Sequence, residues 1–348
     1  MSWEETYTIW NKRPDLAPEV REDLDKIAND KEALEDAFYT PMEFGTAGMR
    51  GLIGAGINRM NIYTVRQATE GLARFMDTLD EETKLRGVAI SYDSRHMSQE
   101  FAFEAARVLG AHGIPSFVFE SLRPTPELSF TVRHLHAYAG IMITASHNPK
   151  QYNGYKIYGE DGAQMPPKES DMITNYIREV DDLFAVEVAD KDALINDNTL
   201  QVIGSEVDEV YLENAKEVTI DRELVAEEGK TMKLVFTPLH GTGGMLGEKA
   251  LRQAGFEDFT MVPEQAMPDP EFSTVEHPNP EFTEAFDLAI KLGKSQKADL
   301  LVAVDPDADR LGAAVRQPDG EYELLTGNQI AALMLNYILT ARKKAGNL

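Results

Sequence analysis

The chain has 348 residues and carries 34 basic against 59 acidic side chains, a formal net charge of −25. At about 100–200 residues per domain this length provides two domains and part of a third, and 43% hydrophobic with 27% charged residues is the composition of a packed globular chain. The acidity argues against a nucleic-acid partner, which needs a basic face, and the lack of cysteine excludes disulfide scaffolds, thiolate zinc sites and cysteine nucleophiles. The start, Met1-Ser2-Trp3-Glu4-Glu5, is acidic where a signal peptide is basic and then apolar. No apolar run approaches the ~20 residues of a membrane span. A soluble, cytoplasmic protein with no membrane partner is expected.

Residues 1–40 read as helical, with Leu24, Ile27, Leu34 and Phe38 forming an apolar stripe among charged residues. A glycine-rich loop, Phe44-Gly45-Thr46-Ala47-Gly48-Met49-Arg50-Gly51, follows. Gly87–Tyr92 is a buried strand, Gln99–Leu109 a helix with Ser98 as its N-cap, and Ser116–Phe119 the next strand. Pro126–His134 is helical, and Ala139–Ile143 is a strand that runs into Thr144-Ala145-Ser146-His147-Asn148-Pro149. Strands alternating with helices predict an α/β fold, its sheets mixed but mostly parallel and flanked by helices. The alternation lapses over about 184–204, which places a domain boundary near 205. It resumes with the strand Lys233–Phe236, the helices Met245–Ala254 and Phe282–Leu292, and the strand Asp299–Val304. A second boundary falls near 320, and Asn328–Lys344 is one more helix.

Ligands of open parallel sheets bind beyond the carboxyl ends of the strands, so polar loops there carry weight. Asp305-Pro306-Asp307-Ala308-Asp309-Arg310 follows an apolar strand. Its alternating carboxylates suit a hard cation, and Arg310 a bound phosphate. An EF-hand loop is excluded, because Arg310 and Arg316 stand where it requires Gly and Glu; a solvated acidic turn is the plain alternative. In the second loop, Ser146 and His147 lack the G-x-S-x-G setting of a hydrolase. Ser146 could instead carry a phosphoryl group, with His147 and Lys156 as proton carriers or charge partners. The plain alternative is an Asn-Pro turn followed by the Asn153-Gly154 turn. The glycines of 44–51 and of His240-Gly241-Thr242-Gly243-Gly244 offer backbone N–H groups to phosphate, with Arg50 adding charge; turns and close packing are the alternative. Walker A and dinucleotide fingerprints fail by position, since Leu224, Leu246 and Leu288 occupy required glycines.

Taken together, Thr144–Pro149, Asn153-Gly154-Tyr155-Lys156, Asp305–Arg310 and Phe44–Gly51 resemble the motif set of the α-D-phosphohexomutase superfamily, in order and approximate spacing. The helical extension and the Phe-Gly-Thr-Ala-Gly-Met-Arg-Gly form resemble its phosphoglucomutase branch. The resemblance implies successive phosphohexomutase-type domains: a helical extension at 1–40, domain I with the phosphoserine loop at 41–205, domain II with the metal loop at 206–320, and the start of a third domain at 321–348. It implies that Ser146 is the phosphoserine and that Asp305, Asp307 and Asp309 bind magnesium together with a Ser146 phosphate oxygen. It gives Arg50 and Arg310, with Asp309, to the phosphate groups, and Lys156 with His147 to general acid/base work. Arg95, on the loop after the Gly87–Tyr92 strand, is a further phosphate-binding candidate. The implied reaction is the isomerisation of glucose 1-phosphate and glucose 6-phosphate, a small-molecule sugar phosphate partner, with glucose 1,6-bisphosphate as activator and intermediate.

The sequence departs from the resemblance in one respect. Gly159-Glu160, Gly247-Glu248 and Gly320-Glu321 all lack the Ser/Thr-Gly continuation of the superfamily's sugar-recognition loop. The expectation is an N-terminal part of a longer mutase, able to take up phosphate and metal but weak or inactive in turnover. Mannose or pentose phosphates are alternative substrates; a magnesium-dependent sugar phosphatase and a non-catalytic phosphosugar-binding module are the rival functions. The sequence does not specify an oligomeric state.

Overall fold

The computed structural model describes residues 1–45 and 48–347. Three short helices, Trp3–Lys12, Pro18–Ile27 and Lys31–Phe38, open the chain and pack Trp10, Val20, Leu24, Leu34 and Phe38 against Ala55 and Tyr63. Each start has a local cause: a capping box at Ser2 and Glu5, a proline in the first turn, and an Asp30 side chain that accepts from Ala33 N–H.

The first sheet holds β1 (Met49–Leu52), β2 (Val88–Tyr92), β3 (Ser116–Phe119), β4 (Ala139–Ile143), β5 (Tyr152–Tyr158) and β6 (Leu200–Ile203), in the order β1-β5-β4-β2-β3-β6. β4, β2, β3 and β6 run parallel; β5 is antiparallel to both β4 and β1. Every residue of β2 and β4 is buried, which is why neither shows the polar–apolar alternation of a half-exposed strand. Their alternate residues feed two layers. Val88, Ile90, Ile141 and Ile143 pack with Phe101, Ala105 and Leu109 of the helix Ser98–Ala111. Ala89 and Met142 pack with Leu128 and Val132 of the helix Thr125–His134.

The second sheet holds β7 (Leu234–Thr237), β8 (Phe259–Met261), β9 (Leu300–Val304), β10 (Leu311–Arg316) and β11 (Tyr322–Leu325), in the order β11-β10-β9-β7-β8. β9, β7 and β8 are parallel, and β10 and β11 turn back antiparallel. The helix Asp287–Gln296 covers one face, with Ala289 buried beside Val235, Leu301 and Phe286. We call the structures built on the two sheets the first and second units. After them runs the helix Gly327–Ala345, its Leu333, Met334, Leu335 and Leu339 exposed. Among the described residues no helix is long and apolar enough to cross a membrane.

Several local expectations are corrected. Met97, in left-handed backbone, is the N-cap of the helix Ser98–Ala111, and Ser98 is its first residue. The Ser98 hydroxyl instead donates to Asp93 Oδ1 at 2.8 Å. Asn153-Gly154 is no turn but lies within β5, and the region 184–204 supplies an edge strand, β6, to the first sheet. Part of the glycine-rich loop is strand β1, while Thr46 and Ala47 of that motif lie outside the described residues.

Candidate active site

Four strands, three of them parallel neighbours in the first sheet, aim their carboxyl ends at one place. β4 delivers Thr144–Pro149, β2 delivers Asp93–Arg95, β3 delivers Arg123–Thr125, and β9 of the second unit delivers Asp305–Arg310. The central contact joins residues 159 positions apart: Ser146 Oγ donates to Asp305 Oδ2 at 2.7 Å. Both residues are buried, Ser146 at 2% exposure and Asp305 at 0%.

Ser146 sits in left-handed backbone with φ 52, a strained conformation for a residue with a Cβ. A hydrogen-bonded frame holds it there. Its N–H donates to Thr144 Oγ1 at 2.8 Å, and the Thr144 hydroxyl donates to Asp93 Oδ2 at 2.7 Å. Arg95 completes the frame. Its Nε donates to Asp93 Oδ2, its Nη2 to the carbonyls of Ser146 and Asn148, and its Nη1 to those of Pro149 and Tyr152. This corrects the expectation that Arg95 binds phosphate. The side chain is buried and its donors face the chain's own carbonyls, so it organises the serine loop and has nothing left to offer a ligand.

The Asp305–Arg310 loop begins where β9 ends. Asp305 Oδ1 accepts from Arg310 N–H at 3.0 Å, and Ala308 turns the backbone left-handed at φ 53. One oxygen from each of Asp305, Asp307 and Asp309 lies within 4.8 Å of the others. Asp307 is fully buried, and its Oδ1 has no hydrogen-bond partner among the described residues. A buried carboxylate oxygen without a donor, inside a group of three carboxylates and beside a serine oxygen, is the donor set that a hard dication such as magnesium takes. Without a cation the cluster stands under like-charge stress. Burial, then Asp307 and Asp309, push the Asp305 carboxyl up to about 9, and burial and Asp307 push Asp309 up as well. Asp307 moves the other way: burial is the largest influence and opposes its charge, but Lys156 together with hydrogen bonds from Asp305 and Thr125 holds the carboxyl below its usual range.

Lys156 reaches this cluster from β5, with Nζ 3.0 Å from Asp307 Oδ2 and 3.5 Å from Asp309 Oδ2. Burial disfavours its charge, yet Asp307 and Asp309 keep it above the ordinary lysine value. His147 behaves oppositely. Burial, then Arg310 and Arg50, hold its imidazole below the usual value, and its Nδ1 lies 3.2 Å from Ser146 Oγ. The two expected proton carriers therefore differ, Lys156 being biased towards its charged form and His147 towards its neutral one. Arg50 and Arg310 are exposed at the rim, Arg50 donating to Asn148 Oδ1 at 2.7 Å.

Gly241 resolves the second glycine motif in favour of packing. A Cβ there would lie 2.3 Å from Pro306 Cα, and Thr242 N–H and hydroxyl both donate to the Pro306 carbonyl. The segment is a seat for the Asp305–Arg310 loop. The residues not anticipated from sequence are Asp93, Thr144 and Thr125. The run Arg123-Pro124-Thr125-Pro126, in the loop after the strand Ser116–Phe119, was the signal that could have found Thr125.

Residues 41–183 match the family model for phosphoglucomutase/phosphomannomutase, alpha/beta/alpha domain I, and residues 209–320 match that for alpha/beta/alpha domain II. A phosphoglucomutase of Staphylococcus aureus (strain N315) is 41% identical over 302 residues, 87% of this chain and 53% of that protein. The chain thus spans about half the length of the curated relatives it matches. Among solved structures, a candidate phosphomannomutase of Thermus thermophilus matches with a TM-score of 0.64 at 27% identity, over 81% of this chain and 58% of that one. A phosphoglucomutase/phosphomannomutase family protein of Burkholderia thailandensis shares the fold with a TM-score of 0.58 at 22% identity, over 80% of this chain and 55% of that one.

Proposed function

The chain belongs to the phosphoglucomutase/phosphomannomutase family, and from that premise we propose that it carries the phosphoryl-transfer serine and the metal carboxylates of a phosphoglucomutase-type isomerase. The substrates in this reading are glucose 1-phosphate and glucose 6-phosphate, with glucose 1,6-bisphosphate turning over between two transfers at Ser146. We divide the chain into an extension at 1–40, domain I at 41–205 and domain II from 206 to about 325 rather than 320, since β11 (Tyr322–Leu325) pairs with β10 in the second sheet, with the helix Gly327–Ala345 beyond it.

The observation that carries the reading is the 2.7 Å contact between Ser146 Oγ and Asp305 across the two units, with the orphaned Asp307 oxygen beside it. Phosphoryl transfer asks a protein chiefly to position groups and to balance charge. A magnesium ion held by Asp305, Asp307, Asp309 and a Ser146 oxygen would supply positive charge to the phosphorylated serine. The chain's own groups do the rest. The frame of Thr144, Asp93 and Arg95 fixes the serine's direction. His147, kept neutral, can take the proton of an attacking sugar hydroxyl. Lys156 remains a cation and adds a fixed positive charge. Arg50 and Arg310, exposed at the rim, suit the anionic sugar phosphate.

Intact-mass measurement after incubation with glucose 1,6-bisphosphate tests this reading. A single phosphate adduct on the wild-type chain, absent from Ser146→Ala, is expected. A wild-type chain that takes up no phosphate would sink the proposal. Steady release of inorganic phosphate that survives Ser146→Ala would favour a phosphatase instead.

A further inference from the structure

The segment after β3 is built with more care than a connection needs. Arg123 N–H donates to the Tyr92 carbonyl and the Ser91 hydroxyl to the Arg123 carbonyl, which fastens the segment to the end of β2. The Arg123 guanidinium is buried and holds Asp208 through two bonds, Nε to Oδ1 at 2.6 Å and Nη2 to Oδ2 at 3.1 Å. Pro124 then caps the helix Thr125–His134, which leaves the Thr125 N–H without an intrahelical acceptor. That N–H donates to the Asp307 carbonyl at 2.9 Å, and the Thr125 hydroxyl donates to Asp307 Oδ2 at 3.1 Å. A single residue of the first unit thus holds one metal-loop residue, 182 positions away, by both its backbone and its side chain.

The consequence lies in which Asp307 oxygen is left over. Oδ2 accepts from Thr125 and from Lys156 Nζ at 3.0 Å, while Oδ1 is buried with no donor among the described residues. Two donors on one oxygen fix the carboxylate's rotation and leave the other, buried and without a donor, as the oxygen open to a cation. We propose that Thr125 is a positioning residue for the metal site, selecting from the first unit the Asp307 oxygen that is offered to the cation. The inference rests on the metal reading given above and adds that cation affinity depends on the docking of one unit against the other. Thr125 itself touches neither cation nor sugar in this scheme. Its hydroxyl works only through Asp307.

Titration of the full chain with Mn²⁺ alone, followed by calorimetry, tests it in Thr125→Val and Thr125→Ser. Loss of an outer hydrogen bond to a metal ligand typically weakens metal binding by about 10–100-fold. A weakening in that range is expected for Thr125→Val, which keeps the shape and the N–H, with affinity recovered in Thr125→Ser. Without metal, Thr125→Val is expected to melt somewhat below wild type because a buried hydrogen bond is lost and Thr125→Ser near it, so the titrations are compared at a temperature where all three chains are folded. Wild-type affinity in Thr125→Val overturns the proposal, as does a Thr125→Ser chain as weak as Thr125→Val, since the effect would then belong to packing. If the wild-type chain itself shows no Mn²⁺ uptake sensitive to Asp305→Asn, the metal reading falls and the proposal with it. Binding by the wild type that Thr125→Val retains removes the proposal alone.

Discussion

Replacing Arg95 with methionine keeps most of the side chain's length and removes only the guanidinium, so it isolates what that group does. In the folded chain the guanidinium donates to Asp93 and to the carbonyls of Ser146, Asn148, Pro149 and Tyr152, with the Arg95 and Asp93 side chains both 0% exposed. The substitution strands Asp93 as a buried carboxylate and removes a donor from four carbonyls, of which that of Pro149 still accepts from Tyr152 N–H. Removing one partner of a buried ion pair costs about 3–5 kcal/mol. The loop carbonyls can turn towards water only if the serine loop comes loose, so the lower end of that range is the floor. Urea unfolding of Arg95→Met against wild type is the assay, with Arg50→Met alongside as the contrast. Arg50 is exposed, and its loss is expected to change stability by no more than about 0.5 kcal/mol. Adding Asp93→Asn to Arg95→Met should recover part of the loss, because the stranded charge goes with it. An Arg95→Met chain within about 1 kcal/mol of wild type would refute the reasoning, since a breach of this network cannot cost less than an ordinary surface change.

Two further outcomes follow from the titrating groups. Asp305, raised to about 9 chiefly by burial and then by Asp307 and Asp309, has a folded value above its unfolded 3.8. Its contribution to the metal-free fold is therefore complete below 3.8 and is lost as the pH rises towards about 9. Metal-free Asp305→Asn is accordingly expected to melt above wild type at about pH 8, with the gap narrowing as the pH is lowered and reversing when Mn²⁺ is added. His112 presents the opposite setting, on the surface of the first unit. Its bond to Glu70, opposed by burial and joined by Asp77, raises it above 6.5, while Glu70 is lowered beneath 4.5. Its stability contribution is present below 6.5 and fades as the pH climbs through the raised value. Melting curves should show His112→Gln falling furthest behind wild type between pH 4.5 and 6.5 and converging at higher pH. A gap that stays constant across that range would contradict the pairing.

The two chemical loops were legible because each stands directly after an apolar strand, where polar residues have no packing reason to gather. Ser146 follows Ala139–Ile143, and Asp305 follows Leu300–Val304. What could not be read was their meeting at 2.7 Å, because that distance depends on how two sheets dock through their strand ends. β5 was hidden by its own turn signals. Asn153-Gly154 looks like a bend, yet Gly154 is needed inside the strand, where a Cβ would lie 2.6 Å from the Thr144 carbonyl oxygen and 2.8 Å from that of Met49. β6 was missed for a different reason. It is four residues long, with Gln201 and Val202 exposed, so an edge strand of this kind leaves little apolar pattern. Arg95 shows the limit most clearly. An arginine in a loop after a strand reads the same whether it awaits a phosphate or ties down its own backbone, and only burial separates the two.

The charge balance at the site gives the metal reading its physical weight. Asp305, Asp307 and Asp309 stand against Lys156 within the cluster and against Arg50 and Arg310 at the rim. In a chain of net charge −25 no wider positive field supports these three cations. The metal-free cluster meets the stress by holding a proton, which is what the raised Asp305 expresses. A phosphate on Ser146 would add about −1.5 to −2 charge to the same buried place, with the serine oxygen already against Asp305. A proton on one aspartate cannot offset that, whereas a dication between the carboxylates and the phosphate can. Metal at Asp305–Asp309 should therefore bind more tightly, by some factor above one, to the chain phosphorylated on Ser146 than to the unphosphorylated chain. Comparing Mn²⁺ titrations of the phosphorylated and unphosphorylated chain measures that factor directly, and equal affinities would remove the charge argument at its root.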